Sequence, residues 1–172
     1  TSLLLGEGKL AEAREHATRA VELNPNNVAA QTNLGIVLAE LGQVDEAIRH
    51  FQKALQIDPN DAQAHYNLGN TFLDRRQITE ASAEYRRAVE LKPDYTAARL
   101  NLANTLMESD QMQEAVTEYE KVLEIRPDYA RAHTNLATAL NRLGRFDEAM
   151  DHLQTAWKLE AQARSASPSP TP

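Results

Sequence analysis

The chain has 172 residues, a formal net charge of −7, 42% hydrophobic and 25% charged residues, and no cysteine. That hydrophobic share is enough to bury a core and excludes disorder throughout. The acidic balance argues against nucleic acid, whose phosphates call for a basic stripe, and the lack of cysteine excludes disulfides, thiolate chemistry and cysteine-ligated zinc.

Purely apolar runs are as short as Leu3-Leu4-Leu5, so neither membrane insertion nor a signal peptide is expected. The chain opens on Thr1 rather than Met. The compartment stays undetermined, with the cytoplasm favoured.

In chain order, Thr1 to Glu7 reads as the back half of a first helix. Gly8 and Lys9 turn the chain into a second helix around Leu10 to Leu23, so residues 1–27 form a half repeat. Leu34, Val37, Leu38 and Leu41 then recur at helical spacing. Gly42 breaks that helix, and Ala47, Ile48, Phe51, Ala54 and Leu55 mark the next. Asp58-Pro59-Asn60 closes the unit. Asn26, Asn60, Asp94 and Asp128 each follow a proline, where an N-cap oxygen would accept a backbone N–H.

The same pair of helices recurs. Pro25, Pro59, Pro93 and Pro127 stand 34 residues apart, and Leu34, Leu68, Leu102 and Leu136 keep that step. So do Ala13, Ala47, Ala81, Ala115 and Ala149, and the aromatics Phe51, Tyr85 and Tyr119 hold the phase. Full repeats therefore run 28–61, 62–95, 96–129 and 130–163. Small residues at Gly35, Gly69, Ala103 and Ala137 would let paired helices approach closely. No unit buries its apolar face alone, so neighbours must stack.

The pattern Leu68-Gly69, Phe72, Ala81, Tyr85, Ala88, Pro93 resembles the tetratricopeptide-repeat (TPR) signature at every position but its first. There Gln31, His65, Arg99 and His133 replace the usual tryptophan. The resemblance implies an all-α fold: a right-handed superhelical solenoid of antiparallel helix pairs, about four and a half repeats over residues 1–163. It also implies a non-catalytic scaffold that binds protein or peptide partners in a concave groove lined by the first helices.

At the matching positions stand Asn33, Asn67, Asn101 and Asn135, with Asn70 and Asn104 one turn later. Asparagine is a middling helix former, so four in phase call for a reason. Its amide can both donate to and accept from an extended peptide backbone. The column resembles the asparagine ladder in the TPR superhelix of O-linked N-acetylglucosamine transferases. The alternative is that these amides bond within the protein and stabilise repeat geometry. Tyr66 adds to the expected groove, and Arg131 and Arg142 supply basic residues only in the last repeat. That distribution lacks the Lys/Arg clamp of chaperone-binding TPR domains and suits a neutral or mildly basic extended segment. A recognition arm of a larger enzyme, such as a glycosyltransferase, is a second reading. A third is a structural protein stacking end to end through Leu3 and Leu4 at one end and Leu153 and Trp157 at the other.

No catalytic constellation, phosphate loop, cofactor site or metal site is expected. His16, His50, His65, His133 and His152 follow the repeat and read as solvated helix surface. Pairs such as Asp45-Glu46 and Asp147-Glu148 open second helices, where they favour the helix dipole. Residues 164–172, a Ser/Thr-Pro alternation from Ser165, are expected to be a solvated tail.

Overall fold

A computed structural model describes the backbone of residues 2–166 and the side chains of residues 9–165. The chain divides into two compact units, residues 1–93 and 94–172. The first unit holds α1 (Ser2–Leu23), α2 (Val28–Glu40), α3 (Val44–Ile57), α4 (Ala62–Asp74) and α5 (Ile78–Leu91). The second holds α6 (Thr96–Glu108), α7 (Met112–Ile125), α8 (Ala130–Arg142) and α9 (Phe146–Ala166). Within each unit successive helices pack on one another, and no strand occurs among the described residues. The all-α class read from the period is therefore the class observed.

Each helix pair closes on an αL residue. Gly42 and Gly144 have φ of 74° and 76°, and at the same register Arg76 and Asp110 have φ of 61° and 59°. The next residue donates its N–H back to the first helix: Gln43 to Leu38 O at 2.8 Å, and Gln77 to Phe72 O, Gln111 to Leu106 O and Arg145 to Leu140 O at 2.9 Å. This 6→1 bond satisfies a carbonyl that the helix end would leave bare.

Helix starts differ from the expectation. The N-caps are Asn27 and Asp61, one residue later than Asn26 and Asn60. Asn27 Oδ1 accepts from Ala30 N at 3.0 Å, and Asp61 Oδ1 from Gln63 N and Ala64 N at 2.9 and 3.2 Å. The displacement has a cause. Asn24 and Asp58 accept the N–H of Asn26 and Asn60 across the intervening proline, which holds a turn there and delays the helix. In the second unit the caps are Tyr95 and Tyr129 instead of Asp94 and Asp128, with no side-chain cap bond.

Two boundaries are also corrected. The turn expected at Gly8-Lys9 does not form, and α1 runs through both residues without a break. A helix carries a glycine at a cost of about 1 kcal/mol. At the other end α9 continues through Ser165, whose hydroxyl donates to Gln162 O at 2.9 Å. The rest of the expected tail, residues 167–172, lies outside the described residues.

The core follows the alanine and aromatic series. In the first unit Phe51, Leu34, Leu38, Ile48 and Leu68 form one buried cluster. Phe51 presses on Gly35 and Tyr85 on Gly69, where an added Cβ would lie 2.7 Å from a ring carbon in each case. In the second unit Tyr119, Leu106, Leu136 and Leu140 are buried.

The αL turns yield a prediction. Space around Gly42 and Gly144 is open, so backbone conformation alone decides the residue there. Arg76→Gly and Asp110→Gly should each stabilise the protein by about 0.5–1 kcal/mol, the larger gain falling on Arg76, since Asp tolerates αL better. Urea unfolding checks it: the midpoint should rise with an unchanged m-value.

Candidate functional site

The first helices α2, α4, α6 and α8 carry the predicted asparagines, and the structure separates them into distinct environments. In the second unit three side chains come together. Tyr119 donates to Asn104 Oδ1 at 2.6 Å, and Asn135 Nδ2 donates to the same oxygen at 3.0 Å. Burial pushes the Tyr119 phenol up to about 12, against the smaller opposing pull of the Asn135 amide and of Arg131. The hydroxyl is thus a fixed donor at any physiological pH.

In the first unit Tyr85 donates to Asn70 Oδ1 at 2.7 Å, and the Tyr66 ring lies 6.0 Å from that of Tyr85. Asn67 differs from Asn135. Its Nδ2 is buried and has no hydrogen-bond partner. The register explains why, since the residue equivalent to Asn104 in the preceding repeat is Ile36, which offers no acceptor. Asn33 is exposed, and Asn101 is half-buried. Arg131 and Arg142 are both exposed but stand at opposite ends of α8, so they do not form one basic site. Leu153 is half-buried on α9, and Trp157 is exposed. The side chains of Leu3 and Leu4 lie outside the described residues.

The position vacated by tryptophan does something the sequence reading missed. In three repeats its side chain bonds to two places at once, the carbonyl of the proline six residues earlier and a residue of the second helix nineteen later. Gln31 Nε2 donates to Pro25 O at 2.8 Å, while its Oε1 accepts from His50 Nδ1 at 2.7 Å. His65 bonds Pro59 O through Nε2 at 3.1 Å and Glu84 through Nδ1 at 2.6 Å. His133 bonds Pro127 O at 2.9 Å and His152 Nδ1 at 2.9 Å. Arg99 makes the second-helix contact to Glu118, which also accepts from Lys121 at 2.8 Å. The histidines other than His16 are therefore inter-helix links rather than solvated surface. The available signal was four polar residues in register at a position where the family keeps an apolar one.

These links differ in their response to protons. At His65 burial lowers the pKa, but the Glu84 carboxylate and the Pro59 carbonyl together outweigh it, and the net shift is upward. At His152 burial and the facing His133 lower it, against weaker raising contributions from Glu120, Asp151 and Glu148. At His50 burial and then Arg49 lower it, against Glu46. Among the described residues no group of three or more His, Asp or Glu is arranged to hold a metal. No described helix is long and apolar enough to cross a membrane.

Family models for tetratricopeptide repeats match residues 16–49, 37–75, 69–110 and 94–159, together most of the chain. The chain belongs to the tetratricopeptide-repeat family. Its fold is an all-α TPR solenoid, and the family places it among protein-interaction scaffolds. Several solved structures share that fold. A crystal structure of MamA is 25% identical with a TM-score of 0.85, covering 93% of this chain and 94% of that one. A second MamA crystal structure is 24% identical, with a TM-score of 0.83 and coverage of 97% and 91%. MamA 41-end from Desulfovibrio magneticus RS-1 is 23% identical, with a TM-score of 0.82 and coverage of 97% and 93%. No curated protein sequence matches the chain.

The TPR links give a pH prediction with opposite signs. His65 has a raised folded pKa, so its stabilising contribution is full below the unfolded value of 6.5 and is lost as pH rises through the folded pKa. His152 and His50 have lowered folded pKa values, so their contributions are full above 6.5 and are lost as pH falls. Imidazole NMR titration should place His65 above 6.5 and His152 below it. In Glu84→Gln, His65 should titrate lower, and the acid-side stabilisation it supplies should disappear.

Proposed function

We propose that the chain is a non-catalytic scaffold that holds extended segments of partner proteins on the asparagine-bearing faces of its first helices. The observation that carries this reading is Asn67. A buried amide donor without a partner costs about 1–3 kcal/mol, and a carbonyl presented by a bound peptide would satisfy it after a small rotation of the side chain. On the same helix Tyr66 adds a half-buried aromatic ring, and Asn33 is open to solvent. An amide surface grips main chain rather than side chain, which suits a scaffold tolerant of its partner's sequence. The second-unit amides have a different role in this reading. Asn104 already serves Tyr119 and Asn135, so it orders the face more than it binds. A recognition arm of a larger enzyme would use the same surface in the same way.

The test separates binding from structure. Asn67→Ala together with Asn101→Ala should weaken binding of a partner segment by about 0.5–1.5 kcal/mol per lost hydrogen bond, with helicity retained. Asn104→Ala should instead lower thermal stability, because it strands the Tyr119 hydroxyl and the Asn135 amide. Isothermal titration and thermal melts on both variants check this. Unchanged affinity in the Asn67/Asn101 variant would overturn the peptide reading.

A further inference from the structure

The register of α9 contains a feature that the asparagine faces do not use. In each second helix four positions form one stripe at intervals of four, three and four residues. In α3 these are Val44, Ile48, Phe51 and Leu55, in α5 Ile78, Ser82, Tyr85 and Val89, and in α7 Met112, Val116, Tyr119 and Leu123. All twelve are buried or half-buried. In α9 the equivalents are Phe146, Met150, Leu153 and Trp157, and there Phe146 is 66%, Met150 50% and Trp157 60% exposed. Position and chemistry belong to a packed face, yet here three of its four residues are open to water and only Leu153 is half-buried. Monomers rarely expose such a contiguous apolar patch without an interaction to serve.

We infer that the covering partner is a second copy of this chain, docked through a two-fold antiparallel α9–α9 contact. Two observations choose that occupant. First, the intervals read the same in both directions. A two-fold axis between Met150 and Leu153 sets Phe146 of one copy against Trp157 of the other, and Met150 against Leu153. The stripe is its own complement, as an isologous interface requires. Second, the rim carries a complementary charge pair under that operation. Asp147 and Lys158 are both exposed and eleven residues apart, so they share one edge of the helix. A two-fold axis brings the same edges of the two helices together, placing Asp147 of each copy beside Lys158 of the other, one pair either side of the axis. An end-to-end stacking through Leu3 and Leu4 would make no use of this symmetry. A single helix stripe buries less than the roughly 1,600 Å² of a standard interface, so the dimer is weak and concentration-dependent.

The experiment uses the full chain. Trp157 is the only tryptophan, so its emission should shift to the blue as concentration rises from low micromolar towards millimolar, in step with a monomer–dimer transition in sedimentation velocity. Trp157→Glu, which removes the fluorophore, should abolish the monomer–dimer transition in sedimentation velocity. Asp147→Lys and Lys158→Asp should each weaken the dimer by about tenfold, as two attractive rim pairs become repulsive. Mixing these two variants should restore dimerisation, since each then meets its complement. Far-UV circular dichroism confirms that every variant keeps its helices. A monomer at all concentrations, growth past the dimer, or mixing without rescue would each overturn the inference. None of these outcomes bears on the asparagine faces, whose test reads peptide affinity.

Discussion

Two of the repeats are closed by a ring seated on a glycine too small to resist it. Phe51 on Gly35 and Tyr85 on Gly69 leave no room for even one added carbon, and close packing is what gives such a pair its single arrangement. The rest of the repeat follows from that contact. The ring reaches across to the first helix, so what stands at its tip decides the chemistry of the first-helix face fifteen residues earlier. Where the ring is Phe51, that residue is Ile36. Where it is Tyr85 or Tyr119, the residue is Asn70 or Asn104, and the hydroxyl is bonded. Where no ring is present, at Leu153, the residue is Thr138. A buried hydroxyl needs an acceptor and a phenyl ring needs none. The asparagine column is thus partly a consequence of core packing.

That dependence explains how much the sequence revealed. Helix pairing, the proline and alanine phase and the core aromatics were all legible, because each rests on periodicity that a 34-residue step makes plain. The asparagine column was legible as a column, but its division was not. Asn135 and Asn67 are the same residue at the same register, and only the neighbouring repeat, Asn104 in one case and Ile36 in the other, tells a paired amide from an orphan. The αL positions show the same limit. Gly42 announces its turn, but Arg76 and Asp110 do so only by register, since neither residue type requires that conformation. The caps at Asn27 and Asp61 were missed by one residue because the Asn24 and Asp58 side chains compete for the turn. Local propensity does not weigh two polar side chains against each other.

The links at Gln31, His65, Arg99 and His133 show what the protein has done with a position its family fills with tryptophan. Each polar replacement must satisfy its own donors and acceptors, and each does so at the preceding proline carbonyl, at the second helix, or at both. Four different pairs, an amide with an imidazole, an imidazole with a carboxylate, a guanidinium with a carboxylate, and two imidazoles, solve one geometric problem. Because the partners differ, the repeats are not interchangeable. A slip by one whole repeat would set His65 against His50 in one direction or Arg99 against His152 in the other and lose those complements, while Arg99 against Glu84 or His65 against Glu118 would keep a carboxylate partner.

Such links are weak candidates for net stability. Arg99 and Glu118 are both nearly buried, and removing two charges from water cancels much of their attraction, so a well-packed apolar pair is often at least as stable. What an apolar pair cannot do is refuse a wrong neighbour. In an array whose repeats share one backbone shape, apolar stripes fit any copy of themselves, as the open stripe of α9 fits its own image. Polar links with unlike partners discriminate instead, because a mispaired donor or charge in a buried site costs several kilocalories per mole. The repeats therefore divide the work: rings on small residues close the pairs that have them, while the polar positions bias which pair forms.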